Sequence, residues 1–265
     1  MEILKSFIVG LVQGLTEFLP VSSSGHLILS QKLLGYDESG GLSFEIFLHL
    51  GSLIAVIYFF RKEILLLIKS LVFFNNSVFQ NERRICLWLL IATFVTGVIG
   101  LAVKDYIEQV FSQPLVVAIM LSLTGFIVFI SDNLKTGTLN MQELTIKKSL
   151  FIGLGQTIAI IPGISRSGTT ITFGLMTGMK RSEAAGFSFL LSIPVILGAN
   201  VKEFSSIISL DASQLINYII GFLAALVSSI FVIKWLINLI VKAKLCYFAY
   251  YCWAISVICI IIIIF

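Results

Sequence analysis

The fold is decided by two short stretches: residues 17–26 read EFLPVSSSGH, and residues 162–170 read PGISRSGTT. Each stretch interrupts a longer apolar segment, 3–34 and 146–179 respectively. Proline removes a helix hydrogen-bond donor and glycine permits backbone angles that other residues avoid, so we predict two helices joined by a break in each segment. Halves of about 15 residues, at 1.5 Å per residue, extend only part-way through a bilayer. We therefore predict two re-entrant helix pairs.

The rest of the chain is strongly apolar. Of its 265 residues, 58% are hydrophobic and 12% are charged, about half the charged share of a soluble domain. Six further segments approach the ~20 residues that a membrane-crossing helix needs. They are 42–60, 85–103, 114–131, 185–201, 214–233 and 246–265. The predicted fold class is an all-α polytopic membrane protein, a single membrane domain over 1–265 with about six transmembrane helices and the two re-entrant pairs.

The two halves of the chain resemble each other. When the chain is compared with itself at an offset of 143 residues, 10 of the 26 positions in 3–28 are identical, among them Gln13 with Gln156. Membrane composition readily produces chance Leu and Ile matches, but not this shared pattern of Gln, Ser and Gly. The sequence therefore predicts a duplicated unit, with repeat 1 at about 1–131 and repeat 2 at about 146–265.

Positive charges predict the orientation of the segments. Lys and Arg gather directly after the second interrupted segment and in the loops 61–84, 132–148 and 234–245. All of these sites are cytoplasmic if the six spans alternate across the membrane. The predicted external segments are then 37–38, 104–108 and 202–211. With three spans per repeat the second copy is inverted, so we predict an inverted-topology repeat whose two tips enter from opposite sides and meet inside the membrane.

Polar side chains, which are costly at membrane depth, concentrate at the two predicted tips. They are Gln13, Glu17, Ser22, Ser23, Ser24 and His26 on the first, and Gln156, Ser165, Arg166, Ser167, Thr169 and Thr170 on the second. Arg166 offers a permanently charged, planar fork of donors that suits phosphate. Gly168 allows backbone N–H groups to approach an anion at the start of a helix. Together with a carboxylate, an imidazole and several hydroxyls, these groups are the parts needed for phosphoryl transfer.

These residues also have structural interpretations. A serine beside a helix start, taken alone, is better explained as a helix cap. Glu17 can be a buried carboxylate paired with Arg166, and His26 can be an ordinary hydrogen-bonded side chain. Glu45 and His49 share one face of an uninterrupted predicted helix, and the sequence leaves open whether they support the site or take part directly.

The sequence restricts the partners. The basic residues are scattered without a nucleic-acid-binding motif, so we expect membrane lipids around the chain and no nucleic acid. Gly97 and Gly221 are compatible with close helix packing within one chain or between two chains, so a homodimer is among the assemblies that the sequence allows.

Both interrupted stretches resemble the signatures of a known family. Residues 13–26, QGLTEFLPVSSSGH, look like the first signature of bacterial undecaprenyl-diphosphate phosphatases, the bacitracin-resistance family. Residues 162–170 resemble its second signature, Pro-Gly-x-Ser-Arg-Ser-x-x-Thr. The resemblance extends over essentially the whole chain in length, segment order and spacing. One position departs: many relatives have Glu where this chain has Gln13, so any charge-dependent role falls on Glu17.

The resemblance implies hydrolysis of undecaprenyl diphosphate to undecaprenyl phosphate and phosphate, which recycles the lipid carrier for cell-wall synthesis and confers bacitracin resistance. It also implies the bacterial plasma (inner) membrane, a pocket open to the periplasm or cell exterior, and a divalent cation, Mg²⁺ or Ca²⁺, with Glu17 as its candidate ligand. A polyprenyl diphosphate substrate explains a site within the bilayer, because its tail is apolar. It also explains a clamp of Arg and backbone donors, because its head carries two phosphates.

The mechanistic hypothesis divides the candidate residues into two groups. The catalytic group is Glu17, Ser23, His26 and Arg166. In it Ser23 attacks the terminal phosphorus with His26 as general base, His26 as the nucleophile is the alternative, and Glu17 holds the cation or orients His26. The substrate-binding group is Gln13, Ser22, Ser165, Ser167, Gly168 and Thr170.

The competing class of function is transport. Inverted repeats with broken helices and polar sites inside the membrane are also typical of transporters. A transporter or flippase for a polyprenyl phosphate, or for another anionic substrate, is therefore the alternative to an enzyme.

Overall fold

The chain is built from α-helices. A computed structural model describes residues 2–36, 41–103, 113–135, 137–208, 210–242 and 244–264. The eleven α-helices of these residues are α1 (Glu2–Thr16), α2 (Ser23–Leu34), α3 (Gly41–Phe59), α4 (Arg61–Val72), α5 (Gln80–Ala102), α6 (Pro114–Asp132), α7 (Ile146–Ile158), α8 (Arg166–Met176), α9 (Arg181–Ile208), α10 (Ala212–Lys242) and α11 (Cys246–Ile264). Two short 3-10 helices lie at Ser77–Phe79 and Met141–Glu143.

Five helical segments are long and apolar enough to cross a membrane. They are Ser77–Ala102, Pro114–Asp132, Arg181–Val201, Ala212–Ile237 and Cys246–Ile264. A sixth is obtained when α3 is counted with α4 as one bent pair. The six predicted spans lie on α3, α5, α6, α9, α10 and α11, so the all-α polytopic class is confirmed.

The connections differ from the prediction in two places. The segment 61–84 was predicted as a loop, but it contains α4, which is bent by 81° from α3. α4 carries Lys62 and Lys69 among exposed apolar residues such as Leu65, a pattern typical of helices at a membrane interface. Charge alone marks such a segment as a loop, although its apolar residues favour a helix. α9 also continues to Ile208, beyond the predicted span 185–201 and into the predicted external segment 202–211. The other predicted external segments, 37–38 and 104–108, lie outside the described residues.

Both interrupted segments are helix–break–helix structures, as predicted. In the first, α1 ends at Thr16 and α2 begins at Ser23, with Ser22 at a φ of 68°. In the second, α7 ends at Ile158 and α8 begins at Arg166. The helix after each break is capped by a serine hydroxyl, which accepts the backbone N–H three residues later.

The helices pack so that both breaks lie inside the bundle. α1 packs against α10, α7 against α5, α3 against α9 and α10, and α6 against α11. In the predicted repeat α1 corresponds to α7 and α10 corresponds to α5. The packing of α1 on α10 is therefore equivalent to the packing of α7 on α5. The repeat boundaries at about 1–131 and 146–265 stay a prediction.

The contact between α1 and α10 depends on two glycines. A Cβ atom on Gly10 would overlap the backbone carbonyl of Gly221, and one on Gly221 would press on Leu48 and Phe44. Gly221 therefore packs helices within the chain, whereas a Cβ atom on Gly97 would meet nothing within 4 Å. Small residues allow membrane helices to approach closely, and this pair fixes how α1 lies in the bundle.

The replacement Gly10→Ala should destabilise the protein. The added methyl group has no space between the two backbones, and overpacking typically lowers stability by about 1–3 kcal/mol. The matched control is Gly97→Ala, whose methyl group has open space and whose helix propensity rises by about 1 kcal/mol. Thermal unfolding in detergent should give a lower melting temperature for the first variant only. Equal melting temperatures for the two variants would contradict the close approach of α1 and α10.

Candidate active site

The two breaks contact each other at three points. Arg166 Nη2 donates to Glu17 Oε1 at 2.5 Å, and Ser167 Oγ donates to the carbonyl oxygen of Leu19 at 2.9 Å. The backbone N–H of Gly163 lies 3.5 Å from Ser24 Oγ. The tips therefore meet, as predicted, and they are joined by an ion pair and by hydrogen bonds.

The second break is held in place by α6. Thr124 Oγ1 accepts the backbone N–H of Ser165 at 2.9 Å and donates to the carbonyl oxygen of Gly163 at 2.8 Å. Gly163 has a φ of 91°, and a Cβ atom there would overlap the carbonyl oxygen of Val117. Glycine is required here because both the backbone angle and the space exclude a side chain. This anchoring fixes where α8 begins, and therefore where Arg166 lies.

The carboxylate of Glu17 is the centre of the site. It is buried, and Oε1 accepts from Arg166. Oε2 accepts from Ser23 Oγ at 2.6 Å and Gln13 Nε2 at 3.0 Å, and it lies 3.3 Å from His49 Nε2. A buried carboxylate is stable only when it is paired and hydrogen-bonded, and these four groups satisfy both oxygens.

Arg166 is held by both tips and by α9. Its Nη1 donates to the carbonyl oxygen of Ser188 at 3.3 Å while Nη2 binds Glu17. It is the first residue of α8, so the positive end of that helix lies beside it. Guanidinium and helix terminus together make this end of the cavity suited to an anion.

A cavity of about 290 Å³ lies between the breaks. Its polar lining residues are Glu17, Ser23, Ser24, Glu45, His49, Thr96, Gln156, Ser165 and Arg166. Its apolar lining residues are Ile46, Ala159, Ile160, Ile164, Val195, Ile196 and Ala199. A cavity lined by both polar and apolar residues suits a molecule with a charged head and an apolar chain.

Four of the predicted site residues line this cavity: Glu17, Ser23, Ser165 and Arg166. The other predicted substrate-binding residues do not line it. Gln13 donates to Glu17, Ser22 caps α2, Ser167 binds Leu19, the Gly168 N–H is taken by Ser165 Oγ, and Thr170 binds the Arg166 carbonyl and Ser188 Oγ. Helical geometry explains this division for Ser167 and Gly168, which lie one and two positions after Arg166 on α8 and therefore face other directions. In this arrangement these residues support the residues that line the cavity.

His26 does not contact Ser23. Its Nδ1 lies 2.8 Å from the carbonyl oxygen of Ser22, its Nε2 lies 2.9 Å from the hydroxyl of Tyr251, and its ring stacks on that of Tyr251. The structure thus shows no hydrogen bond between Ser23 and His26, whose Nε2 and ring are held by Tyr251 of α11. The group in contact with the Ser23 hydroxyl is Glu17. A catalytic role for His26 stays a prediction.

Three polar cavity residues lie outside both predicted tips: Glu45, His49 and Thr96. The signal for the first two is present in the sequence, since a carboxylate and an imidazole at i and i+4 interrupt an otherwise apolar span. Thr96 carries no such signal, and it is identified by its contact with Gln156 Nε2 at 2.9 Å.

The described side chains do not form a preformed divalent-cation site. Among them, no group of three or more His, Cys, Asp or Glu residues is arranged to hold a metal ion. Both oxygens of Glu17, the predicted ligand, already accept hydrogen bonds from Arg166, Ser23 and Gln13. A cation on Glu17 would have to displace one of these donors.

Comparison with known proteins gives one consistent result. The family model described as "Bacitracin resistance protein BacA" matches residues 6–258. The chain is 44% identical to the undecaprenyl-diphosphatase of Methanobrevibacter smithii, over 97% of this chain and 96% of that protein. It is 42% identical to undecaprenyl-diphosphatase 1 of Shouchella clausii (97% and 95%) and 41% identical to the undecaprenyl-diphosphatase of Carboxydothermus hydrogenoformans (97% and 96%).

Glu17 and Arg166 should be strongly coupled in a double-mutant cycle. Removal of one member of a buried ion pair typically destabilises a protein by about 3–5 kcal/mol, because the other charge is left unpaired. Glu17→Gln and Arg166→Met should each lower the melting temperature in detergent, and the double variant should lose less than the sum. The matched control is the more exposed pair of Asp132 and Arg181, for which we expect weaker coupling. Additive effects at Glu17 and Arg166 would contradict a direct ion pair.

Proposed function

The chain belongs to the bacitracin resistance protein BacA family, and on that premise we propose that it is an undecaprenyl-diphosphatase. It is a multi-pass membrane enzyme that hydrolyses undecaprenyl diphosphate to undecaprenyl phosphate and phosphate. The observation that carries the proposal is the hydrogen bond of Ser23 to Glu17, which is paired with Arg166, in a cavity lined by polar and apolar residues. A hydroxyl, a carboxylate and a guanidinium in contact are the groups that phosphoryl transfer from a diphosphate requires.

The shape of the cavity supports an amphiphilic substrate. The diphosphate lies against the polar lining residues, where Arg166 and the first turn of α8 provide positive charge. The first isoprene units lie against apolar lining residues, which include Ile160, Ile164 and Val195. The rest of the tail extends into the lipid, so the reaction takes place at membrane depth.

The proposed reaction begins at Ser23. Its Oγ attacks the terminal phosphorus, and its proton passes to Glu17 Oε2, the atom it already contacts at 2.6 Å. A Ser–O–P bond forms while the bond from that phosphorus to the bridging oxygen breaks, and undecaprenyl phosphate leaves with the bonding electron pair. Water then attacks the phosphoserine, Glu17 returns its proton to the leaving Ser23 oxygen as the Ser–O–P bond breaks, and phosphate leaves with both protons of the water. His26 as nucleophile is the alternative, and its contacts with Ser22 and Tyr251 favour it less.

Arg166 provides the electrostatic part of the reaction. Negative charge accumulates on the transferred phosphoryl group and on the leaving oxygen, and a fixed guanidinium stabilises it without rearranging. Ser165, which lines the cavity beside it, adds a hydroxyl. Ser167, Gly168 and Thr170 support this arrangement by holding the first turns of α8.

The cellular setting is part of the proposal. We place the protein in the plasma (inner) membrane with its cavity open to the cell exterior or periplasm. The basic loops favour the cytoplasm, and the other ends of the spans, where we place the opening of the cavity, are then external. There it recycles the lipid carrier for cell-wall synthesis and confers bacitracin resistance. Mg²⁺ or Ca²⁺ would accompany the diphosphate of the substrate, and a homodimer stays one of the assemblies that the sequence allows.

One observation favours the competing transporter function. A second cavity of about 350 Å³ is lined by Thr16, Leu19 and Val21 of the first break together with residues of α10 and α11. The first break thus borders two cavities, and broken helices beside cavities are also typical of transporters. Phosphate release by detergent-purified protein needs no membrane sides, so it separates an enzyme from a pure transporter.

Ser23→Ala should abolish most of the phosphatase activity. Loss of a nucleophile typically lowers kcat by several orders of magnitude, and we expect a decrease of at least about 100-fold. Phosphate release from undecaprenyl diphosphate by purified protein provides the measurement. Ser30→Ala is the matched control, because Ser30 lies on the same helix and bonds only backbone carbonyls there. Near-normal turnover by Ser23→Ala would eliminate the serine route.

Arg166→Lys should also be severely impaired. An ammonium group cannot bind Glu17 and the phosphate with the geometry of a planar fork, and loss of one transition-state donor typically lowers kcat about 10²–10³-fold. The control is Arg181→Lys, since Arg181 binds Asp132 and does not line the cavity. The same phosphate-release assay applies. Full activity of Arg166→Lys would count against the clamp.

A further inference from the structure

His49 reaches the active carboxylate from a helix that has no break. It lies on α3, lines the cavity, and places Nε2 3.3 Å from Glu17 Oε2. That oxygen is the one that accepts the Ser23 hydroxyl. His49 is therefore connected to the proposed nucleophile, Ser23, through the carboxylate of Glu17.

The orientation of the His49 ring is fixed by its own helix. Nδ1 lies 2.6 Å from the carbonyl oxygen of Glu45, four residues earlier, so Nδ1 carries a proton and donates it to that oxygen. A ring held at Nδ1 can rotate little, and Nε2 is left directed at Glu17 Oε2, which is also an acceptor. Nε2 therefore donates as well, and the ring carries both protons as an imidazolium. The side chain is only 22% exposed, which also restricts it.

The hydrogen-bond donors on Glu17 Oε2 oppose an alternative arrangement, in which Arg166 binds both oxygens of the carboxylate. A guanidinium prefers to bind both oxygens of a carboxylate with two parallel hydrogen bonds. Arg166 instead binds Oε1 alone, while Oε2 is held by Gln13, Ser23 and His49. If Oε2 turned towards Arg166, Ser23 would lose its proton acceptor and the guanidinium would have fewer N–H groups for phosphate.

We propose that His49 is a positioning residue, which holds Glu17 Oε2 on Ser23 and away from a two-oxygen bond with Arg166. This inference rests on the proposed phosphatase function, because it concerns the same site. Its effect is on the reacting geometry and not on substrate affinity. Removal of His49 should therefore lower kcat and leave KM nearly unchanged.

The test uses two replacements of His49 and one control. His49→Leu removes the donor at similar volume and should lower kcat about tenfold or more, the loss typical of an outer partner of a catalytic group. His49→Gln keeps an N–H donor at a similar reach and should recover most of that loss. Ser52→Ala is the matched control on the same helix, since it removes a buried hydrogen bond from Ser229 and Ser52 does not line the cavity. All are compared with the unsubstituted protein by kcat and KM for phosphate release, with melting temperatures measured in parallel.

Each outcome decides the proposal. A fall in kcat for His49→Leu, recovery in His49→Gln and normal turnover in Ser52→Ala would support it. Unchanged kcat in His49→Leu, a raised KM with unchanged kcat, or equal damage in both His49 variants would each overturn it. No phosphate release by the unsubstituted protein and by Ser52→Ala would instead overturn the proposed function, and this inference with it.

Discussion

The ion pair of Glu17 with Arg166 is the interaction on which the rest of the site depends. An isolated charge in an apolar interior is strongly unfavourable, so each of these groups requires the other. They are separated by 149 residues in sequence, and each is placed by a break in an otherwise helical segment. The helices that bury the two breaks must therefore bring them to one point. The close packing of α1 on α10 and the anchoring of the second break on α6 serve that placement.

The groups that stabilise this pair are also the groups suited to chemistry. Ser23, Gln13 and His49 satisfy the second oxygen of Glu17, and the same contacts hold a hydroxyl beside a carboxylate at the cavity wall. Donors and charges fixed before the substrate arrives need little rearrangement during a reaction. In a membrane interior such fixed groups are expensive, which is why they are concentrated at one place.

Much of the fold can be predicted from the sequence because it follows from local rules. Apolar length determines the spans, and Pro20 and Gly163 with the neighbouring serines indicate the two breaks. The site is only partly predictable, because side-chain partners depend on how the helices pack. His26 shares a stretch with Ser23 yet binds Tyr251, 225 residues away, while His49 comes to Glu17 from a separate helix. No spacing within one helix specifies such contacts. The helix α4 was missed for a different reason, since its charges resemble those of a loop.

The contact across the two tips has an evolutionary consequence. At the offset of 143 residues that aligns the halves, Glu17 corresponds to Ile160 and Arg166 corresponds to Ser23. The acid and the hydroxyl thus belong to one half, whereas the guanidinium and an apolar wall residue belong to the other. If the halves descend from one ancestor, they have specialised in complementary ways. Neither half can then replace the other. Because both halves are encoded in one chain, they are always made in equal amounts.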